Sequence, residues 1–147
     1  MKNFKLSIFV FLVISFSSSL FSLAQTTSWK GTSNDNWRTD ANWTNGQPDA
    51  NTHVVIGDAN FTGSFQPTLE RGRGKGECKS LTVGNGTKAS TFTILDGLDI
   101  YGTLLIGANG TVDDSGGRLT LEGDWLNSGA YNASGSNRRV YFTGTNQ

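Results

Sequence analysis

The chain has 147 residues with twelve Lys and Arg against twelve Asp and Glu, so its formal charge is zero and it lacks the basic footprint of a nucleic-acid-binding protein. Nineteen glycines stand against two prolines, and Glu, Lys, Ala and Met are too scarce to sustain a helical period. Such a composition excludes a helical bundle and favours many short strands joined by tight turns.

Lys2 and Lys5, an apolar run over residues 6–14 and the small-x-small triplet Ser22-Leu23-Ala24 read together as a secretory signal peptide spanning residues 1–24. The run is too short to cross a bilayer, and Ser15, Ser17, Ser18 and Ser19 interrupt it, so no transmembrane segment is expected. Cleavage near Ala24 would send the protein out of the cell or to its outer surface. The 123 residues that follow carry ten basic and twelve acidic side chains, enough chain for one domain with a core. Cys78 is alone, so no internal disulfide forms, and it reads as a small buried apolar residue. No cofactor is implied.

Residues 25–53 place Trp29, Trp37 and Trp43 among Asn, Asp, Thr and Ser, which favour Asx-type turns. A stacked repeat needs its first rung covered, so this stretch reads as a Trp-rich amino-terminal cap. The alternative is a sugar-stacking platform, which makes Trp29, Trp37 and Trp43 the candidate ligand-binding residues. His53 opens the first clear strand, through Val54-Val55-Ile56. A metal needs three or four converging ligands, and one His without a cysteine pair does not supply them, so no metal site is assigned. Residues 57–77 read as a long connection. Its end, Glu70-Arg71-Gly72-Arg73-Gly74-Lys75-Gly76-Glu77, reads as a solvated, mobile loop, with an anion or acidic-polysaccharide contact as the sharper alternative.

Trp29-x-Gly31, Asn36-Trp37, Asn42-Trp43, Gly46, Pro48 and Val54-Val55-Ile56 are followed by Pro67-Thr68-Leu69, Ser80-Leu81-Thr82-Val83 and Gly-Asn-Gly-Thr turns. Val140, Phe142, Gly144 and Gln147 fit the pattern Val-x-Phe-x-Gly-x-x-Gln. The run resembles the amino-terminal part of large secreted, repeat-rich surface proteins of Bacteroidota. That resemblance implies an exported, autotransporter-passenger-like parallel β-helix, often displayed on the cell surface. Such proteins commonly carry a carboxy-terminal sorting domain; its absence here implies a truncated product or fragment.

One phrase recurs through the second half. Leu98-Asp99-Ile100-Tyr101-Gly102 returns as Leu119-Thr120-Leu121-Glu122-Gly123 and again as Val140-Tyr141-Phe142-Thr143-Gly144, each twenty-one residues on. Leu81-Thr82-Val83-Gly84-Asn85-Gly86 is echoed twenty-three residues later from Leu104. Alternation with period two marks strands, and equal spacing marks stacked rungs. The expected fold is all-β, a parallel β-helix (β-solenoid) of 21–23 residues per rung over residues 54–147, with a β-sandwich as the alternative. Inward ladders of Leu98, Leu119 and Val140 and of Ile100, Leu121 and Phe142 follow, with Trp125 in the place of Leu104.

An enzyme on such a scaffold needs carboxylates converging across adjacent rungs. Asp113-Asp114 reads instead as a solvated corner, with Arg138-Arg139 in the next corner, and no catalytic residue is assigned. The expected function is a non-enzymatic secreted or surface module, adhesive or structural. A carbohydrate-binding or polysaccharide-degrading module is the alternative. Surface glycans or neighbouring domains of a longer chain are the expected partners, with end-to-end self-association through the last rung and no nucleic acid.

Overall fold

A strand of alternating apolar and polar residues has one face to keep from water, and stacking it in register on a like strand hides that face. The computed structural model describes residues 24–134 and 138–145. Residues 1–23, which hold nearly all of the expected signal peptide, residues 135–137 and residues 146–147, with the Gln147 of the terminal pattern, lie outside the described residues. The first strands are β1 (Thr26–Ser28), β2 (His53–Ile56), β3 (Thr68–Leu69) and β4 (Gly76–Cys78). Then come β5 (Ser80–Val83), β6 (Ser90–Ile94), β7 (Leu98–Ile100), β8 (Leu104–Ile106), β9 (Gly110–Asp114) and β10 (Arg118–Leu121). The last are β11 (Trp125–Asn127), β12 (Ala130–Ala133) and β13 (Arg139–Phe142).

The described strands form three sheets: β1-β2-β5-β8-β11, then β12-β9-β6-β3, then β13-β10-β7-β4. Every ladder between them is parallel. From β2 onward the chain visits the first, second and third sheets in turn and begins again, which is a three-sided β-solenoid. A sandwich is built of antiparallel sheets, so the parallel ladders exclude that alternative.

Register follows the repeat phrase. Leu98 pairs with Leu119 and Ile100 with Leu121; Leu119 then pairs with Val140 and Leu121 with Phe142. On the first sheet Leu81 pairs with Leu104, and Leu104 with Trp125. Leu81, Leu98, Ile100, Leu104, Leu119 and Leu121 are all essentially sealed from solvent. Along the last strands the ladders open out: Val140 is half-buried, and Leu126, Tyr141 and Phe142 are exposed, Phe142 at 56%.

Two details depart from the sequence reading. Residues 57–77 are a connection interrupted by β3 and β4, and a strand, β1, lies inside the cap region. β1 is Thr-Thr-Ser, β3 has only two residues and β4 buries only Gly76 and Cys78, so none shows an apolar alternation to read; β4 holds its place by pairing with β7. No helix among the described residues is long and apolar enough to cross a membrane.

Leu119→Ala should cost about 2–5 kcal/mol of unfolding free energy, because it removes a buried side chain from the middle of a ladder. Thr82→Ala, on an outward position, should stay within about 0.5 kcal/mol. Urea denaturation with an unchanged slope checks both.

Candidate functional site

The three candidate tryptophans come together, but inward. Trp29, Trp37 and Trp43 are 0%, 1% and 1% exposed. Trp43 meets Trp29 and Trp37 edge-on, each pair with ring centroids 4.9 Å apart, and Trp37 stacks on Phe92 of β6 at 4.8 Å. Two of the indole N–H groups are consumed too: Trp29 donates to Phe65 O and Trp43 to Trp37 O, both at 2.7 Å. No ring keeps a free face for a pyranose. The sugar-platform assignment to Trp29, Trp37 and Trp43 is therefore corrected to an aromatic plug on the core.

The plug continues the coil in degenerate form. β1 pairs with β2, and Asn36 bridges to Thr68 of β3, so the cap lays partial strands over the first and second sheets. Asn42, fully buried, accepts from the amides of Ser33 and Asn34 and donates to Asn34 Oδ1 and Asn36 O. Thus the oxygens of Asn34 and Asn36 serve the chain itself, and a buried polar side chain is satisfied as it must be.

Other singled-out residues are equally committed. Cys78 is buried and free, and burial pushes its thiol pKa up, away from the reactive thiolate. His53 shares a hydrogen bond between Nδ1 and Ser80 Oγ. Asp113 and Asp114 end strand β9 and are not a solvated corner. Asp114 pairs with Ile94, which puts it on the inward row, where it is 0% exposed and accepts from Tyr131 OH at 2.8 Å. Burial first, and the Asp114 carboxylate second, push the Tyr131 pKa up. Among the described residues, no group of three His, Cys, Asp or Glu gathers as a metal would require.

The polar cluster that the fold creates lies on the outer face of the third sheet. Glu77, Asp99, Thr120 and Tyr141 fall on one row by register. Lys75 Nζ lies 2.8 Å from Glu77 Oε1 and 2.6 Å from Asp99 Oδ2, so one ammonium serves two carboxylates on adjacent rungs. Tyr101 OH donates to Glu77 Oε1 at 3.1 Å, and the Arg118 guanidinium stands 3.5 Å from Asp99 Oδ1. Glu77 is held below the usual carboxylate range by the Lys75 hydrogen bond and then by Tyr101. For Asp99, burial works upward, but Lys75, Thr120 and Arg118 outweigh it and the pKa is lowered. Thr120 Oγ1 and Asp99 Oδ1 are both buried and short of full hydrogen-bond geometry, so the hydroxyl acts as a nearby dipole. Lys75 is raised by its hydrogen bonds to Asp99 and then Glu77.

Glycoside cleavage by two carboxylates requires one of them to hold a proton near neutral pH. Here both are drawn toward the ionised form and the lysine toward the protonated form, so neither carboxylate is favoured as the proton donor and the cluster is an ion network. Sequence reading missed it because Glu77 lies in a strand without alternation. The available signal was the repeat itself: one rung back from Asp99, register arrives at Glu77.

The chain matches no protein-family model, no curated protein and no solved structure.

The network sets a pH window. The lowered carboxylates contribute stability above about pH 4.3 that is lost as pH falls through their folded pKa values. The raised lysine contributes stability below about pH 10.4 that is lost as pH rises through its folded value. Lys75→Met should therefore lower the urea midpoint between those limits and have little effect in stronger acid, as denaturation curves across pH will show.

Proposed function

We propose that this chain is a non-enzymatic secreted or cell-surface β-solenoid module that acts by adhesion or as a structural spacer. The observation that carries the reading is the state of the Glu77–Lys75–Asp99 network. These carboxylates sit on neighbouring rungs, where a β-helix enzyme would place its acid and base, yet both are committed to one lysine. The stacked strands offer extended faces on which a partner can lie, as adhesion or spacing requires.

Export rests on the basic, apolar and small-residue order of residues 1–24, and the resemblance to repeat-rich surface proteins of Bacteroidota supports the same placement. The exposed Leu126, Tyr141 and Phe142 support end-to-end self-association through the last strands.

Expression with the leader in a Gram-negative host should give a product outside the inner membrane whose first residue is Gln25, read by amino-terminal sequencing. Incubation with neutral and acidic polysaccharides should release neither reducing ends nor unsaturated products. Cleavage that disappears in Glu77→Gln or Asp99→Asn would sink the non-enzymatic reading.

A further inference from the structure

We infer that the edge of the coil between the second and third sheets is a binding site for an acidic polysaccharide lying along the coil axis. This edge is made by the links from β3 to β4 (residues 70–75), β6 to β7 (95–97) and β9 to β10 (115–117), with Arg138 and the start of β13 beyond them. Register stacks these links, so cations far apart in sequence fall on one line. Arg71, Arg73 and Lys75 come from the first link; Arg118, just past the third, is paired rung to rung with Arg139, and Arg138 precedes it. Six of the ten Lys and Arg that follow residue 24 gather here.

The edge is held in place. Arg38 donates to Gly74 O at 2.6 Å, Gly72 N donates to Asp96 Oδ2 at 2.8 Å, and Asn36 Nδ2 donates to Glu70 Oε2 at 2.8 Å. The glycine-rich loop is thus exposed and hydrogen-bonded to the cap and to the next link. A Cβ on Gly97 would come near only Lys75 Cβ at 3.4 Å and Arg118 O at 3.7 Å, which leaves a shallow notch between those cations.

Acids neutralise only part of the line. Glu77 and Asp99 occupy Lys75, Asp99 reaches Arg118 at 3.5 Å, and Glu70 stands 3.7 Å from Arg73. Arg71, Arg138 and Arg139 meet neutral oxygens instead: Leu95 O at 3.4 Å, Ser134 O at 2.7 Å and Tyr141 OH at 3.3 Å. Like charges directly opposite on neighbouring strands destabilise a sheet, and an anion between Arg118 and Arg139 relieves that repulsion. Guanidinium forks match the planar oxygens of carboxylate and sulfate groups.

The charge is sparse, which selects the polymer. Rungs repeat at about 4.8 Å, whereas duplex DNA carries a charge every ~1.7 Å of its axis. A line with acids interleaved repels so dense a polyanion and suits a chain bearing one acid group per sugar. The inference supplies a ligand class for the adhesive reading and rests on it.

Affinity electrophoresis in polygalacturonate or chondroitin sulfate, against neutral dextran, tests the site and separates carboxylate from sulfate preference. The intact protein should be retarded by at least one acidic polymer, and added salt should abolish the retardation. Arg118→Gln/Arg139→Gln should weaken binding about tenfold, or about 1.4 kcal/mol, with circular dichroism unchanged. Arg71→Gln/Arg73→Gln, confined to the exposed loop, supplies the same test should the first pair disturb folding. Lys30→Gln/Lys79→Gln removes equal charge elsewhere and should leave binding intact. No retardation by either acidic polymer, equal losses in edge and control variants, or tighter binding to single-stranded DNA would overturn the site. Shortening of a bound polymer would overturn the non-enzymatic reading and leave the edge standing.

Discussion

Parallel strands held about 4.8 Å apart in register are the constraint on which the rest of this coil depends. Each inward side chain must lie on its counterpart one rung away, so a ladder such as Leu98, Leu119 and Val140 has no room for a change of phase. A slip by one residue would turn every apolar side chain of a strand to water. The corners must stack as closely as the strands. At Gly84, with φ of +66°, a Cβ would fall 2.0 Å from Gly110 N, and at Gly116 it would fall 1.8 Å from Leu95 C. Only glycine lets one corner rest on another at such separations.

The same stacking governs the charges. Placing Glu77 beside Asp99 costs repulsion, and Lys75 removes it by bonding both. Placing Asp114 on the inward row below Ile94 costs desolvation, which the Tyr131 hydroxyl partly offsets. Arg118 opposite Arg139 has no comparable internal remedy, which is why the open cationic edge draws attention as a contact surface while the Lys75 network does not.

The amino-terminal end obeys other rules. Three indoles and a buried asparagine close the first rung through contacts that occur once and do not recur. Exposure of a tryptophan cannot be read from spacing alone, because burial and sugar stacking use the same apolar surface. A further aromatic partner of the plug, Phe92, lies 55 residues after Trp37 in the chain, and its stacking on Trp37 exists only once β6 is in place.

By itself the sequence determined the rung length, the phase of the strands from Leu81 to Leu121 and the inward ladders, because side chains repeated at constant spacing can be sealed together only by stacking like on like. It also located Trp125 above Leu104, since the phrase preceding each is the same. Only the tertiary structure decided that Asp114 faces inward, that Glu77 and Asp99 share Lys75, and that the Arg71–Lys75 loop and Arg138-Arg139 stand on one edge. Those relations depend on which corner lies over which, and corners differ in length and composition from rung to rung. The repeat specifies the ladder, but three-sided closure is what turns distant loops into neighbours.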